Sequence, residues 1–198
     1  MKRNLILSGI ALFTFLAVPF VASAQNPNIV GAQSTDQKLT LTVNGSALLA
    51  IFNTAVGASN TNIAMSLSGA TTAGAAISPT ATDNASRLRI SSLNDGATTR
   101  TITAQITPAM TSDGTQLFVT LTDPKNFQLD PLNAGTCSAT KELTSGDAQT
   151  VVTGIKTCWS GTETNSGYQI TYLYQKKADA TNVKSSAITV TYTISNEG

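Results

Sequence analysis

The stretches YQITYLY at residues 168–174 and ITVTYTIS at residues 188–195 decide the fold class. In both stretches, every second position is apolar or aromatic. A period of two places those side chains on one face of a β-strand. Each stretch therefore predicts a strand that packs one face on a core. We expect the second, near the chain end, to lie inside a sheet and fix that end.

The same period recurs along most of the chain. Further strands are predicted at residues 39–43, 47–52, 63–67, 87–90, 102–106, 117–121 and 151–159. Asn44-Gly45 predicts a tight turn. Residues 68–84 predict a long loop, and residues 122–146 an irregular segment. About nine strands without a convincing helix predict a single all-β domain at residues 38–198, an antiparallel Ig-like or pilin-like β-sandwich.

The N-terminus predicts a secreted protein. Lys2 and Arg3 precede an uncharged apolar run over residues 5–21, and the small residues of Ala22-Ser23-Ala24 follow. This pattern is typical of a signal peptide at residues 1–24. A transmembrane anchor is the alternative, but the run is slightly short and no basic cluster follows it. We expect a periplasmic, cell-surface or extracellular protein without a membrane span, beginning with a polar, extended lead at residues 25–37.

The charge balance argues against nucleic acid and anionic lipid as partners. The chain has 12 Lys+Arg and 11 Asp+Glu, and charged residues make up 12 % of it. This share is about half the usual one. No basic stripe or polybasic patch is present that could bind phosphates.

Cys137 and Cys158 are the two cysteines of the chain. In an oxidising compartment, two cysteines most simply form one disulfide. Closing such a loop contributes about 3 kcal/mol in the chain-entropy model. A metal site is the alternative, but the sequence contains no His to supply further ligands.

The residues of catalysis are missing or scattered. Without His, the usual base of a nucleophilic triad is absent, and no S-x-x-K motif offers a substitute. Carboxylates that a glycosidase would need fall in predicted turns and loops, where acidic residues are common. These carboxylates belong to Asp113, Asp123, Asp130, Glu142, Asp147 and Glu163. We expect no enzyme activity, no cofactor and no metal.

Trp159 and Tyr168 are the candidate ligand-surface residues. An exposed Trp159 could stack on a sugar ring, with Tyr168 beside it. Packing of Trp159 over the disulfide inside a sandwich core is the interpretation that we favour. For Tyr168 we likewise favour aromatic packing within the sheet over a ligand surface.

Several motifs resemble those of a family of small secreted bacterial proteins of uncharacterised function. They are Gly154-Ile155, Cys158-Trp159-Ser160-Gly161, Gly167-Tyr168 with Ile170 and Tyr172, and the terminal TVTYTI strand. More loosely, the signal peptide, Thr-rich sandwich, single disulfide and alternating last strand resemble fimbrial subunits. That resemblance implies that a strand of one protomer completes the sheet of the next.

Two functional hypotheses follow from the sequence. The first is a structural or adhesive cell-surface protein without catalytic activity, a fimbria-like subunit whose residues 25–37 are donated to a neighbour. Its partners would be copies of itself or other surface proteins. The alternative is a secreted module that binds glycans or proteins through Trp159, Tyr168 and the loops at residues 68–84 and 122–146.

Overall fold

The computed structural model describes residues 39–43, 45–59, 62–95, 98–110, 114–127 and 131–197. The chain divides into two units, Met1–Leu41 and Thr42–Gly198, and every strand described below belongs to the second unit. The signal peptide and polar lead predicted at residues 1–24 and 25–37 lie outside the described residues.

The described part of the chain contains eleven β-strands and one short 3₁₀ turn at Pro131–Ala134. In chain order the strands are β1 (Ser46–Asn53), β2 (Ala58–Ser59), β3 (Thr80–Leu93), β4 (Arg100–Thr107), β5 (Thr115–Lys125), β6 (Thr136–Cys137), β7 (Lys141–Glu142), β8 (Gln149–Ile155), β9 (Cys158–Trp159), β10 (Gly167–Lys176) and β11 (Thr189–Asn196).

These strands form two antiparallel sheets. The larger, sheet A, has the order β2-β1-β3-β10-β5-β7, and β9 also pairs with β3. The smaller, sheet B, has the order β11-β4-β8-β6. The two sheets pack face to face, so the all-β sandwich predicted from the period-two patterns is confirmed.

The core lies between the inner faces of the two sheets. Alternate residues of the central strands are buried there, as the pleat of a strand requires. Sheet A contributes Leu88, Ile90, Leu117, Val119, Leu121, Tyr168 and Ile170, and sheet B contributes Ile102, Ala104, Ile106, Val152 and Ile155.

Two segments with strand-like patterns form no strand. Residues 39–43 and 63–67 alternate as the sequence analysis noted, but neither is assigned to a sheet. Alternation identifies the face that a strand would bury, but it carries no information about whether a neighbouring strand is available.

Strands also occur where the patterns predicted none. The loop expected at residues 68–84 ends early, because β3 begins at Thr80 and pairs there with Gln175 of β10. The segment expected to be irregular at residues 122–146 contains β6 and β7, of two residues each. A strand of two residues shows no repeat of the period-two pattern, so no pattern could identify it.

The position expected for the last strand is wrong. β11 lies at the edge of sheet B, where it pairs with β4 alone among the described residues. Its apolar residues face the core, and all of them are only partly buried. The alternating pattern correctly predicted the inward face, but an edge strand and an inner strand share that pattern.

Gly167, at the start of β10, has a structural reason to be glycine. Its φ is 96°, a conformation that residues with a side chain rarely adopt. A Cβ atom at this position would also lie 2.3 Å from the carbonyl oxygen of Leu88 on β3. The backbones of β10 and β3 therefore approach each other at a point where no side chain fits.

Replacement of Gly167 by Ala should lower the free energy of unfolding by about 3 kcal/mol, from left-handed strain together with overpacking. Urea denaturation measures this loss. Gly146→Ala is the matched control, because a Cβ there meets no atom within 4 Å. Equal stability of the two variants would contradict the proposed role of Gly167.

Candidate functional site

The described carboxylates among the six considered for catalysis lie in three separate segments of the chain. Glu142 lies on β7 at the edge of sheet A, whereas Asp147 and Glu163 lie in bends. Asp113 and Asp130 fall outside the described residues, and the side chain of Asp123 is not described. Within the described ranges, no group of three or more His, Cys, Asp or Glu residues is placed to hold a metal ion.

One further observation concerns membranes. In the portion of the chain covered by the structure, no helix is long and apolar enough to cross a bilayer.

Cys137 and Cys158 lie on different sheets of the sandwich. Cys137 is on β6 in sheet B, and Cys158 is on β9 in sheet A, where it is fully buried. Burial raises the pKa of the Cys158 thiol to about 11. Burial also raises the pKa of Tyr168 far above its usual range, and the nearby charges of both thiolates would add to that rise. Both cysteines therefore lie within electrostatic range of the same core tyrosine.

The predicted disulfide is not formed among the described residues. We keep it as a prediction, because the two cysteines lie on different sheets and a bond between them would join sheet A to sheet B. Denatured but unreduced protein, purified from an oxidising compartment, should show no reactive thiol. Two reactive thiols per chain would contradict the disulfide. Protein treated first with a reductant is the positive control for the assay.

The structure separates the two candidate ligand-surface residues. Tyr168 is 0 % exposed, and its hydroxyl donates a hydrogen bond to the Ala134 carbonyl. It is therefore a core residue, as the sequence analysis favoured. Trp159 is 43 % exposed, so the favoured packing of this residue inside the core is wrong. The neighbouring Cys158 occupies the inward position of the same two-residue strand.

Trp159 belongs to a group of side chains on the outer face of sheet A, which we call the outer patch. Trp159 pairs with Ser91, and Ser91 pairs with Leu48, so these three residues form one row across the sheet. Two residues before Ser91 on β3, the guanidinium of Arg89 lies 3.8 Å from the ring centroid of Phe52. The same guanidinium donates a 2.8 Å hydrogen bond to the Glu163 carbonyl. The outer patch is thus Leu48, Phe52, Arg89 and Trp159.

A second feature is an unpaired margin of the sandwich, which we call the open edge. β11 borders sheet B there, and β1 of sheet A is in contact with it. On the side away from β3, the pairing of β1 with described residues runs through Phe52 and Asn53, which pair with β2. Among the described residues, both strands therefore leave backbone groups unpaired along the same margin.

Apolar side chains line the open edge without being fully covered. Leu49 and Ile51 on β1 are partly buried, as are Val190 and Ile194 on β11. Their neighbours one strand inward in sheet B are essentially inaccessible, for example Ile106, which pairs with Val190. Burial thus decreases from the centre of the sandwich towards this margin.

A hydrogen bond between two tyrosines joins the sheets near the open edge. The hydroxyls of Tyr172 on β10 and Tyr192 on β11 are 2.9 Å apart. Burial raises the pKa of Tyr172 to about 12 and the pKa of Tyr192 well above its usual value. Both hydroxyls therefore keep their protons at neutral pH. The bond positions the edge strand β11 over sheet A.

Comparison with known proteins assigns the chain to no family. No protein-family model, curated protein or solved structure matches the chain. The resemblance of the motifs to a family of small secreted proteins, and the looser resemblance to fimbrial subunits, therefore stay predictions.

The open edge was not predicted from the sequence. The sequence nevertheless contains a feature that is typical of an unprotected edge. The strands at residues 46–53 and 189–196 contain no charged residue and no proline. Such residues commonly protect the edges of sheets. The absence of charged residues and proline is equally consistent with an inner strand. The sequence alone therefore could not distinguish an edge strand from an inner one.

Proposed function

We propose that this protein is a secreted structural or adhesive cell-surface protein, without catalytic activity, that assembles with copies of itself through the open edge. The observation that carries the proposal is the pair of unprotected strands β1 and β11 on one margin of the sandwich. Their backbone groups and half-buried apolar residues suit the addition of a strand from another molecule.

The composition of the edge strands supports assembly over a monomeric role. Monomeric sheet proteins usually protect an edge with charged residues, proline, bulges or very short strands. β11 has eight residues, pairs with β4 without a break in register, and presents Thr189, Thr191 and Thr193 outward. An edge of this kind favours pairing with another strand.

Assembly should be visible on a gel of envelope and medium fractions probed for this chain. We expect unboiled samples to give a ladder, because strand-paired subunits separate slowly in detergent, and boiled samples to give one band. A single monomer band in both lanes would contradict the proposal. A reducing agent in parallel lanes distinguishes strand pairing from disulfides between chains.

A second candidate function is the binding of glycans at the outer patch. The specific observation in its favour is the exposed indole of Trp159, in one row with the exposed Leu48. Aromatic rings combine an apolar face with a polar edge, a combination that suits surfaces with mixed apolar and hydroxyl groups. Tyr168, which is buried, has no part in this candidate site.

Titration with cell-surface polysaccharide should change the fluorescence of Trp159, the only tryptophan of the chain. Binding measured by isothermal titration calorimetry, which does not depend on the tryptophan signal, should weaken at least tenfold in Trp159→Ala. Val183→Ala, which also truncates an exposed apolar side chain, is the control and should bind normally. Unchanged fluorescence across a panel of polysaccharides would exclude glycans of those classes as ligands of the outer patch.

A further inference from the structure

We infer that the open edge of one molecule binds residues 39–43 of a second copy, which add a strand alongside β11. This inference rests on the proposed function and names the two surfaces that would assemble. It differs from the sequence-based prediction, which assigned the donated segment to residues 25–37.

Residues 39–43 have the alternating sequence LTLTV, which is typical of a β-strand, but no neighbouring strand pairs with them among the described residues. Leu39, Leu41 and Val43 are 73 %, 82 % and 60 % exposed, and the segment forms no strand in the structure. Thr40 and Thr42 alternate with them. An extended segment that exposes three alternate apolar residues favours any pairing that buries them.

The open edge matches this segment in length, period and polarity. Five residues of extended chain span about 17 Å, whereas β11, with eight residues, is longer. In one register, the apolar face of the segment would cover the half-buried Val190 and Ile194, together with Leu49 of β1. Its threonines would then continue the outward row of Thr189, Thr191 and Thr193 on β11.

Pairing of the segment with β1 of its own chain is unfavourable. A two-residue turn at Asn44-Gly45 would place Leu41 opposite Leu48 and Thr40 opposite Leu49. Opposite residues share one face of a sheet, and Leu48 is 65 % exposed on the outer face of sheet A. The hairpin would therefore expose the leucines and direct the threonines towards the core. A segment from a separate molecule is not joined to the strand through this turn. It can therefore pair in a register that directs its leucines towards the core.

Two matched double variants test the inference by placing the same charges on opposite faces of the segment. Leu39→Asp/Leu41→Asp modifies the apolar face, and Thr40→Asp/Thr42→Asp modifies the polar face. All four positions lie outside the strands, so both variants should fold, which circular dichroism checks. We expect self-association, measured by analytical ultracentrifugation, to weaken at least tenfold in the leucine variant and at most threefold in the threonine variant.

Hydrogen exchange identifies the acceptor. A synthetic peptide of residues 38–45, added to the monomeric leucine variant, should slow amide exchange in β11, whereas a peptide with both Asp substitutions should not. Slower exchange confined to other strands would overturn the inference. Equal association of the two double variants, whether strong or weak, would also overturn it.

The experiment separates this inference from the proposed function. If wild-type protein assembles and the leucine variant assembles equally well, assembly uses another segment and the proposed function stands. If wild-type protein remains monomeric at every concentration tested, both the proposed function and the inference fail.

Discussion

The hydroxyl of Tyr168 is a polar group at the centre of an apolar core, and several features of the sandwich depend on satisfying it. Its hydrogen bond to the Ala134 carbonyl fixes the 3₁₀ turn against β10. The ring packs on Phe127, with centroids 5.0 Å apart. Because a buried polar group without a partner is costly, displacement of the turn from β10 would destabilise the core.

Side-chain hydrogen bonds join the two sheets at one end of the sandwich, which we call the closed end, whereas the open edge lies along one margin. At the closed end, Asn94 accepts a 2.6 Å hydrogen bond from Arg100 and donates to the carbonyls of Thr98 and Ile155. One side chain thus joins β4, β8 and the turn that leads from sheet A to sheet B. The open edge has no comparable polar network among the described residues. Its apolar residues instead retain surface that another strand can bury.

The sequence predicted which residues face inward far better than which strands are neighbours. Val190 and Ile194 face the core as their alternation required, yet β11 is an edge strand. Pairing order depends on contacts between distant segments, and local periodicity does not record such contacts. Trp159 illustrates the same limit. A two-residue strand gives no period, so its inward and outward positions could not be told apart before the structure placed Cys158 inside.

The pairing of β11 with β4 has a mechanical consequence. The two strands pair at eight consecutive positions, from Thr189 with Thr107 to Asn196 with Arg100, without a break in register. A pull along the strand axis would load all of these positions at once, whereas a pull across the axis would separate them one after another. The C-terminal strand therefore resists tension along its length much more strongly than peeling.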